Sequence, residues 1–323
     1  MYFVFLIIGF VFLIKGADLL VDSSSKLAAI YKLSPFIIGI SIVALGTSAP
    51  EGVIGILSGI KQSNDIILGT VLGSSIANIA LVVGLTALVF PIKVKESIYK
   101  RDIPLSIASQ MLLFLLVSIG GIISRFDSLI LLTLFVFFIF YIASESKKKN
   151  NISTPPIDVL KNDKVTSENS SKKKLKLLFL VLIGMAGLIV GGNMVVENGK
   201  EIALVFGLSE TFIGLSIVAL GTSLPELVTS IVGSLKKEPD IVLGNIIGSN
   251  IFNILFVLGL SSLVYPIEAS PEIRIDMIII ILASILLLLF SFTQKTITRK
   301  EGFSFFLLYI SYIVFAYFSG NVT

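Results

Sequence analysis

The sequence predicts an all-α membrane protein: ten transmembrane helices, arranged as two inverted five-helix repeats, with the second and seventh helices broken. Three observations carry this. First, 55% of the 323 residues are hydrophobic and 14% charged, with mean hydropathy +0.99; a soluble domain is roughly 45–50% apolar and about 25% charged. Second, the apolar residues form continuous runs near the roughly 20 residues a helical span needs, not the short alternating segments of a membrane barrel. Third, the second half of the chain repeats the first at an offset of 175 residues.

The runs lie near residues 2–21, 35–60, 64–90, 103–122, 127–144, 175–196, 210–235, 239–265, 273–292 and 302–319. Several exceed a simple span, which implies tilt or interruption. The first has no basic n-region and no A-x-A site, so it is expected to be a retained helix and not a signal peptide. Threading ten helices from an outside N-terminus places twenty lysines and arginines in inner loops and four in outer ones, a strong positive-inside bias. Both termini are then extracellular, the chain lies in the cell membrane, and the net charge of +4 has a topological origin unrelated to nucleic acid. The stretch 146–174, rich in Lys, Ser and Asn, reads as a flexible cytoplasmic linker between halves 1–145 and 175–323.

The repeat is close. "IGISIVALGTSAPE" (Ile38–Glu51) and "IGLSIVALGTSLPE" (Ile213–Glu226) match at 12 of 14 positions. "NDIILGTVLGSSIANIALVVGLTALVFPI" (Asn64–Ile92) and "PDIVLGNIIGSNIFNILFVLGLSSLVYPI" (Pro239–Ile267) match at 16 of 29. Five helices per repeat is an odd number, so the second copy must be inverted in the membrane. Inverted repeats with interrupted helices are a transporter signature, with the substrate near the midplane.

The interruptions carry Ser48-Ala49-Pro50-Glu51 and Ser223-Leu224-Pro225-Glu226. One reading is local: S-x-x-E is a capping box, and Pro is tolerated in a first helical turn. The other is functional, since an ionisable residue deep in an apolar run marks a site. The two are compatible, with Ser capping and Glu ligating. Unwinding at Gly46-Thr47 and Gly221-Thr222 is expected to free carbonyls such as those of Ala44 and Ala219. With the Thr and Ser hydroxyls, these make an all-oxygen shell of the kind hard cations take. Cysteine and histidine are absent, which excludes disulfides, soft-metal sites, thiol nucleophiles and histidine relays and disfavours an intramembrane enzyme. In the next span of each half, Gly69, Gly73, Gly244 and Gly248 form small-xxx-small faces for close packing. Ser74 and Asn78 share one helical face, as do Ser249 and Asn253. Their polar groups either bond between helices or share the cation site.

These motifs, "GTSAPE…GTVLGSSIANI" and "GTSLPE…GNIIGSNIFNI", resemble the two α-repeats of the cation/calcium antiporter superfamily, most closely the prokaryotic sodium/calcium exchangers, over nearly the whole chain. The resemblance implies that helices 2, 3, 7 and 8 surround four cation positions. Glu51 and Glu226 would bridge Ca²⁺, and Thr47, Thr222 and the carbonyls of Ala44 and Ala219 would complete the sites. Ser48, Ser74, Ser223 and Ser249 would help hold Na⁺, with Asn78 and Asn253 lining the middle. Helices 1 and 6 would slide to alternate access. Some relatives carry Asp at one of the two Asn positions, so only two carboxylates remain here. The Gly-Thr-Ser-x-Pro-Glu form favours Na⁺ as counter-ion over H⁺. The expected partners are thus Ca²⁺, Na⁺ and the bilayer, with no cofactor, no enzymatic activity and a monomeric unit. The alternatives are a Ca²⁺/H⁺ or K⁺-assisted exchanger and, from another class, a cation channel.

Overall fold

In lipid a helix satisfies every backbone donor and acceptor within its own segment, and this chain is helical almost throughout. The computed structural model describes residues 1–61, 64–149, 167–205, 219–270 and 273–319. Helix α1 covers Tyr2–Tyr31, and α2 (Pro35–Thr47) and α3 (Ala49–Ile60) form a pair bent by 50°. Helix α4 covers residues 64–89, strand β1 is Ile92–Lys93, α5 is Ile98–Gly120, β2 is Ile122–Ile123 and α6 is Arg125–Lys149. The second half comprises α7 (Ser167–Val205), α8 (Ala219–Thr222), α9 (Leu224–Leu235), α10 (Pro239–Val264), β3 (Ile267–Glu268), α11 (Ile273–Gln294), β4 (Thr296–Ile297) and α12 (Arg299–Ser319).

Among the described residues seven helices, α1, α4, α5, α6, α7, α10 and α11, are long and apolar enough to cross a bilayer, and the bent pair α2–α3 makes an eighth. The part of the expected seventh span before Ala219 lies outside the described residues, as does most of the expected linker. Helices α6 and α7 reach into that linker as far as Lys149 and back to Ser167. The first and sixth helices are longer than their apolar runs. At 1.5 Å per residue α1 is about 45 Å long and α7 about 58 Å, against a hydrocarbon core of about 30 Å. The polar ends continue the helix because nothing in them breaks it: α1 runs through Ser23, Ser24, Ser25 and Lys26 and stops only at Lys32, in left-handed conformation.

Burial sorts the helices. The central window of α10 is 94% buried and that of α4 78%, against 22% for α6. Helices α4 and α10 therefore form the middle of the molecule. The buried apolar residues fall into two groups. The larger surrounds α4 and α10 with α5, α6, α11 and α12; the smaller joins α1 to α7 through Leu13, Ala17, Leu20, Val181 and Leu188.

Residues related by the sequence offset also stand in related places. A Cβ on Gly9 would meet the Gly191 carbonyl at 3.0 Å, and one on Gly184 would meet the Gly16 carbonyl at 2.9 Å. Gly9 and Gly16 are the counterparts of Gly184 and Gly191, so α1 and α7 pack antiparallel on each other's equivalent surfaces. The strands behave alike. Strand β1 pairs with β4 (Ile92↔Ile297) and β3 with β2 (Ile267↔Ile123), both antiparallel. Both central helices widen into a π-helical turn at matching positions, Ala77–Val82 and Phe252–Leu258, a distortion frequent at functional sites.

The expected small-residue packing is present on α10. A Cβ on Gly244 would lie 2.5 Å from the Phe36 carbonyl, and one on Gly248 2.5 Å from the Ile40 carbonyl. Only glycine lets α10 approach the backbone of α2 this closely. Gly248→Ala is therefore expected to destabilise the protein by about 1–3 kcal/mol through overpacking, read as a lower melting temperature in detergent. Gly120→Ala, whose methyl would meet Ile122 at 3.8 Å, is expected to melt with the parent.

Candidate cation site

The helix breaks fall at Ser48 (φ −86°, ψ 9°) and Ser223 (φ −90°, ψ 2°), in nearly identical conformations. This corrects the expected position. Gly46 and Thr47 remain helical, as do Gly221 and Thr222, and the Ala44 carbonyl keeps its helical donor, the Ser48 amide at 3.0 Å. The physical cause is the proline. Pro50 and Pro225 have no N–H to give to the carbonyl four residues back, so Gly46 and Gly221, not Ala44 and Ala219, lose their helical amide. The capping reading also changes: neither Ser48 nor Ser223 caps its own helix.

Ser48 instead reaches across to the other repeat. Its hydroxyl donates to Glu226 Oε1 at 3.0 Å, and Ser74 Oγ on α4 donates to Glu51 Oε1 at 3.3 Å. Glu51 and Glu226 open α3 and α9, where the helix dipole favours negative charge. They are 1% and 0% exposed, and each repels the other's charge. The second oxygen of each, Oε2, has no hydrogen-bond partner among the described residues, nor does any described lysine or arginine form an ion pair with either. Two carboxylates buried this way demand compensating charge.

Of the other predicted residues, most are buried too. Thr47, Ser74, Asn78, Ser223, Ser249 and Asn253 are buried, Ala44 as well, and Thr222 is half-buried; Ala219 begins α8. Ser223 Oγ, Ser249 Oγ, Asn78 Oδ1 and both polar atoms of Asn253 have no partner among the described residues. These are oxygens and amides that no described residue satisfies, in a place where an unmade bond costs about 1–3 kcal/mol. No group of three or more His, Cys, Asp or Glu occurs among the described residues. The donor set is two carboxylates plus neutral oxygen, which fits a hard cation.

Three buried residues that sequence reasoning passed over belong to the same cluster. Asn245 Oδ1 lies 3.0 Å from Thr47 Oγ1, which also faces the Ala44 carbonyl at 3.3 Å. Asn250 accepts from Asn78 Nδ2 at 3.1 Å and donates to the Ser75 carbonyl at 3.4 Å. A signal existed for the first: Asn245, Ser249 and Asn253 recur every four residues and share one face of α10. Asn250 lies off that face and Ser75 is on α4, and only the packing of α4 on α10 brings them together.

A buried pair of carboxylates at broken helices, bonded to serines and accompanied by unmatched buried hydroxyls and amides, is a donor set of the kind that membrane cation transporters use. The sodium/calcium exchanger protein family matches residues 1–143 and 176–318, and the chain belongs to that family. It is 32% identical to the sodium/calcium exchanger MaX1 of Methanosarcina acetivorans, covering 98% of each chain, and 37% identical to the putative antiporter CaxA of Alkalimonas amylolytica, covering 96% of each. Its fold matches a structure of the sodium-calcium exchanger NCX_Mj with TM-score 0.81 and 31% identity, over 97% of this chain and 98% of that one.

The serine bonds are unequal between repeats, which gives a test. Ser48 holds a carboxylate, whereas the hydroxyl of its counterpart Ser223 has no partner among the described residues. In buffer free of Na⁺ and Ca²⁺, Ser48→Ala is expected to lower the melting temperature, by the equivalent of about 1.5–3 kcal/mol for a hydrogen bond to a charged group. Ser223→Ala is expected to lower it far less.

Proposed function

We propose that this chain carries Ca²⁺ and Na⁺ in opposite directions across the cell membrane by alternating access, with both ions using the Glu51–Glu226 site. The observation that carries the reading is the pair of buried carboxylates, each bonded to a serine and neither compensated by a described basic residue. One Ca²⁺ neutralises the pair, and so do two Na⁺; a third Na⁺ leaves one positive charge. The ions therefore compete for overlapping oxygens: Glu51 and Glu226, the hydroxyls of Thr47, Thr222, Ser48, Ser223, Ser74 and Ser249, the amides of Asn78 and Asn253, the backbone carbonyls of Gly46 and Gly221 that the prolines free, and those of Ala44 and Ala219 through a second lone pair beside the helical bond.

The architecture we infer is ten spans in two inverted repeats, α9 completing the seventh and α12 forming the tenth. The antiparallel packing of α1 on its counterpart α7 supports it. The glycine contact lets α1 and α7 pack closely enough to move as one unit, and the apolar side chains that join them to Ile38, Val43 and Ile241 offer no hydrogen bonds to a sliding motion. At one end α1 is tied to the turn before α10, by Ser25 Oγ to Glu238 at 2.6 Å and Lys236 to Asp18 at 2.8 Å. These contacts close the side we assign as cytoplasmic.

The test is uptake of ⁴⁵Ca²⁺ into proteoliposomes loaded with Na⁺. The parent is expected to accumulate Ca²⁺ only against an outward Na⁺ gradient, and Glu51→Gln and Glu226→Gln each to abolish it. Uptake that persists in either variant removes the assignment of the site. Flux without any counter-ion gradient would indicate a channel. If three Na⁺ exchange per Ca²⁺, uptake must respond to membrane potential, since each unit charge is worth about 2.3 kcal/mol per 100 mV. Binding also predicts stabilisation: Ca²⁺ at a hundred times its Kd is expected to add about 2.7 kcal/mol, seen as a raised melting temperature that Glu226→Gln loses. The sidedness is checked directly, because the chain has no cysteine: a single cysteine replacing Ser153 is expected to react with an impermeant thiol reagent only from the cytoplasmic face.

A further inference from the structure

Asn78 and Asn253 occupy equivalent positions in the two repeats yet have different surroundings. Asn78 and Asn253 are related by the offset of 175, as are Ser75 and Asn250. An asparagine amide has an oxygen at one end and NH₂ at the other, and only the oxygen can face a hard cation. Which end is turned inward is set by what holds the other. Asn250 Nδ2 donates to the Ser75 carbonyl, which fixes Asn250 Oδ1 toward Asn78; Asn78 Nδ2 donates to that oxygen. The two bonds in series turn Asn78 Oδ1 away from Asn250, and it has no partner among the described residues. At the matching place in the other repeat stands Ser75. Its hydroxyl has no partner among the described residues, and neither has the Nδ2 or the Oδ1 of Asn253. Asn78, Asn250, Ser75 and Asn253 are each no more than 1% exposed, so bulk water does not orient them.

Resting on the exchanger reading, we propose that Asn250 is a positioning residue that holds Asn78 as a fixed oxygen ligand, and that Asn253, lacking such an anchor, is the adjustable ligand of the site. Asn253 turns its oxygen in when a cation needs it and its NH₂ toward a glutamate oxygen when the carboxylates lack one. A site that must accept one divalent or several monovalent ions needs a ligand that changes sides, and the chain makes one by placing Ser where its repeat has Asn.

The experiment measures KM for Ca²⁺ and turnover in Na⁺-driven uptake by the full chain, with Na⁺ competition and melting temperature alongside. Asn250→Ser is expected to raise the Ca²⁺ KM by about five- to tenfold, the scale of one lost orienting hydrogen bond, with turnover at saturating Ca²⁺ retained. Adding Ser75→Asn to it, which exchanges the anchors between repeats, is expected to restore KM. Ser75→Asn alone, which anchors both amides and removes no bond, is expected to shift the Na⁺ concentration that half-inhibits Ca²⁺ uptake by at least about fivefold on the same scale. Parent-like KM in Asn250→Ser, failure of the double variant to recover it, or unchanged Na⁺ competition in Ser75→Asn overturns the proposal while the parent still transports. A parent that takes up no Ca²⁺ overturns the exchanger reading and this proposal with it.

Discussion

Everything in this molecule answers to two carboxylates held in the dark of a bilayer. A bare carboxylate in a low-dielectric interior is so unfavourable that proteins ordinarily protonate it or pair it. Here the carboxylates open α3 and α9, where the helix dipole favours negative charge, and hydroxyls such as those of Ser48 and Ser74 donate to one oxygen of each. Among the described residues no lysine or arginine is paired with either. Several hydroxyls and amides of the same cluster are unmatched among the described residues, which the proposed exchange of ions requires: a cluster with every hydrogen bond made would hold its shape and refuse an ion.

The broken helices follow from that requirement. A continuous helix would direct every carbonyl along its own axis and spend every amide internally. A proline two residues after the serine removes one amide, opens a bend of 50° and turns the carboxylate of the next residue to the centre. The glycines on α10 then let α2 come close enough for Thr47 to meet Asn245. Sequence, local geometry and packing agree here, the consistency expected where one physical demand governs them all.

Much of this was legible in the residues. The composition, the periodic doubling and the placing of Pro and Glu inside apolar runs pointed to spans, repeats and a site, because each is a local feature whose cost in lipid is large. What escaped was tertiary. Ser48 reads as a cap for its own helix, and only the approach of the other repeat offers Glu226 as a better partner. The break sits at Ser48, since the effect of a proline falls on the carbonyl four residues upstream and leaves Gly46 and Thr47 in the helix. Asn250 gave no pattern of its own; it matters through the neighbour it meets. The lengths of α1 and α7 were underestimated because hydropathy marks where lipid ends, not where a helix does.

The two small strand pairs have a mechanical consequence. Strand β1 fastens to β4 and β2 to β3, so the strands that follow α4 and α5 in the first half are stitched to the second half. The helices carrying those stitches, α4, α5, α6, α10, α11 and α12, behave as a frame with pinned corners. Among the described residues α1 and α7 carry no strand, and their shared face is smoothed by glycine. The helices outside the frame, α1 and α7 with the broken helices α2, α3, α8 and α9, are held to it by side-chain packing and by single polar contacts such as Ser25 to Glu238. Backbone hydrogen bonds fix the spacing of the frame's corners, and side-chain contacts alone set where the remaining helices lie against it.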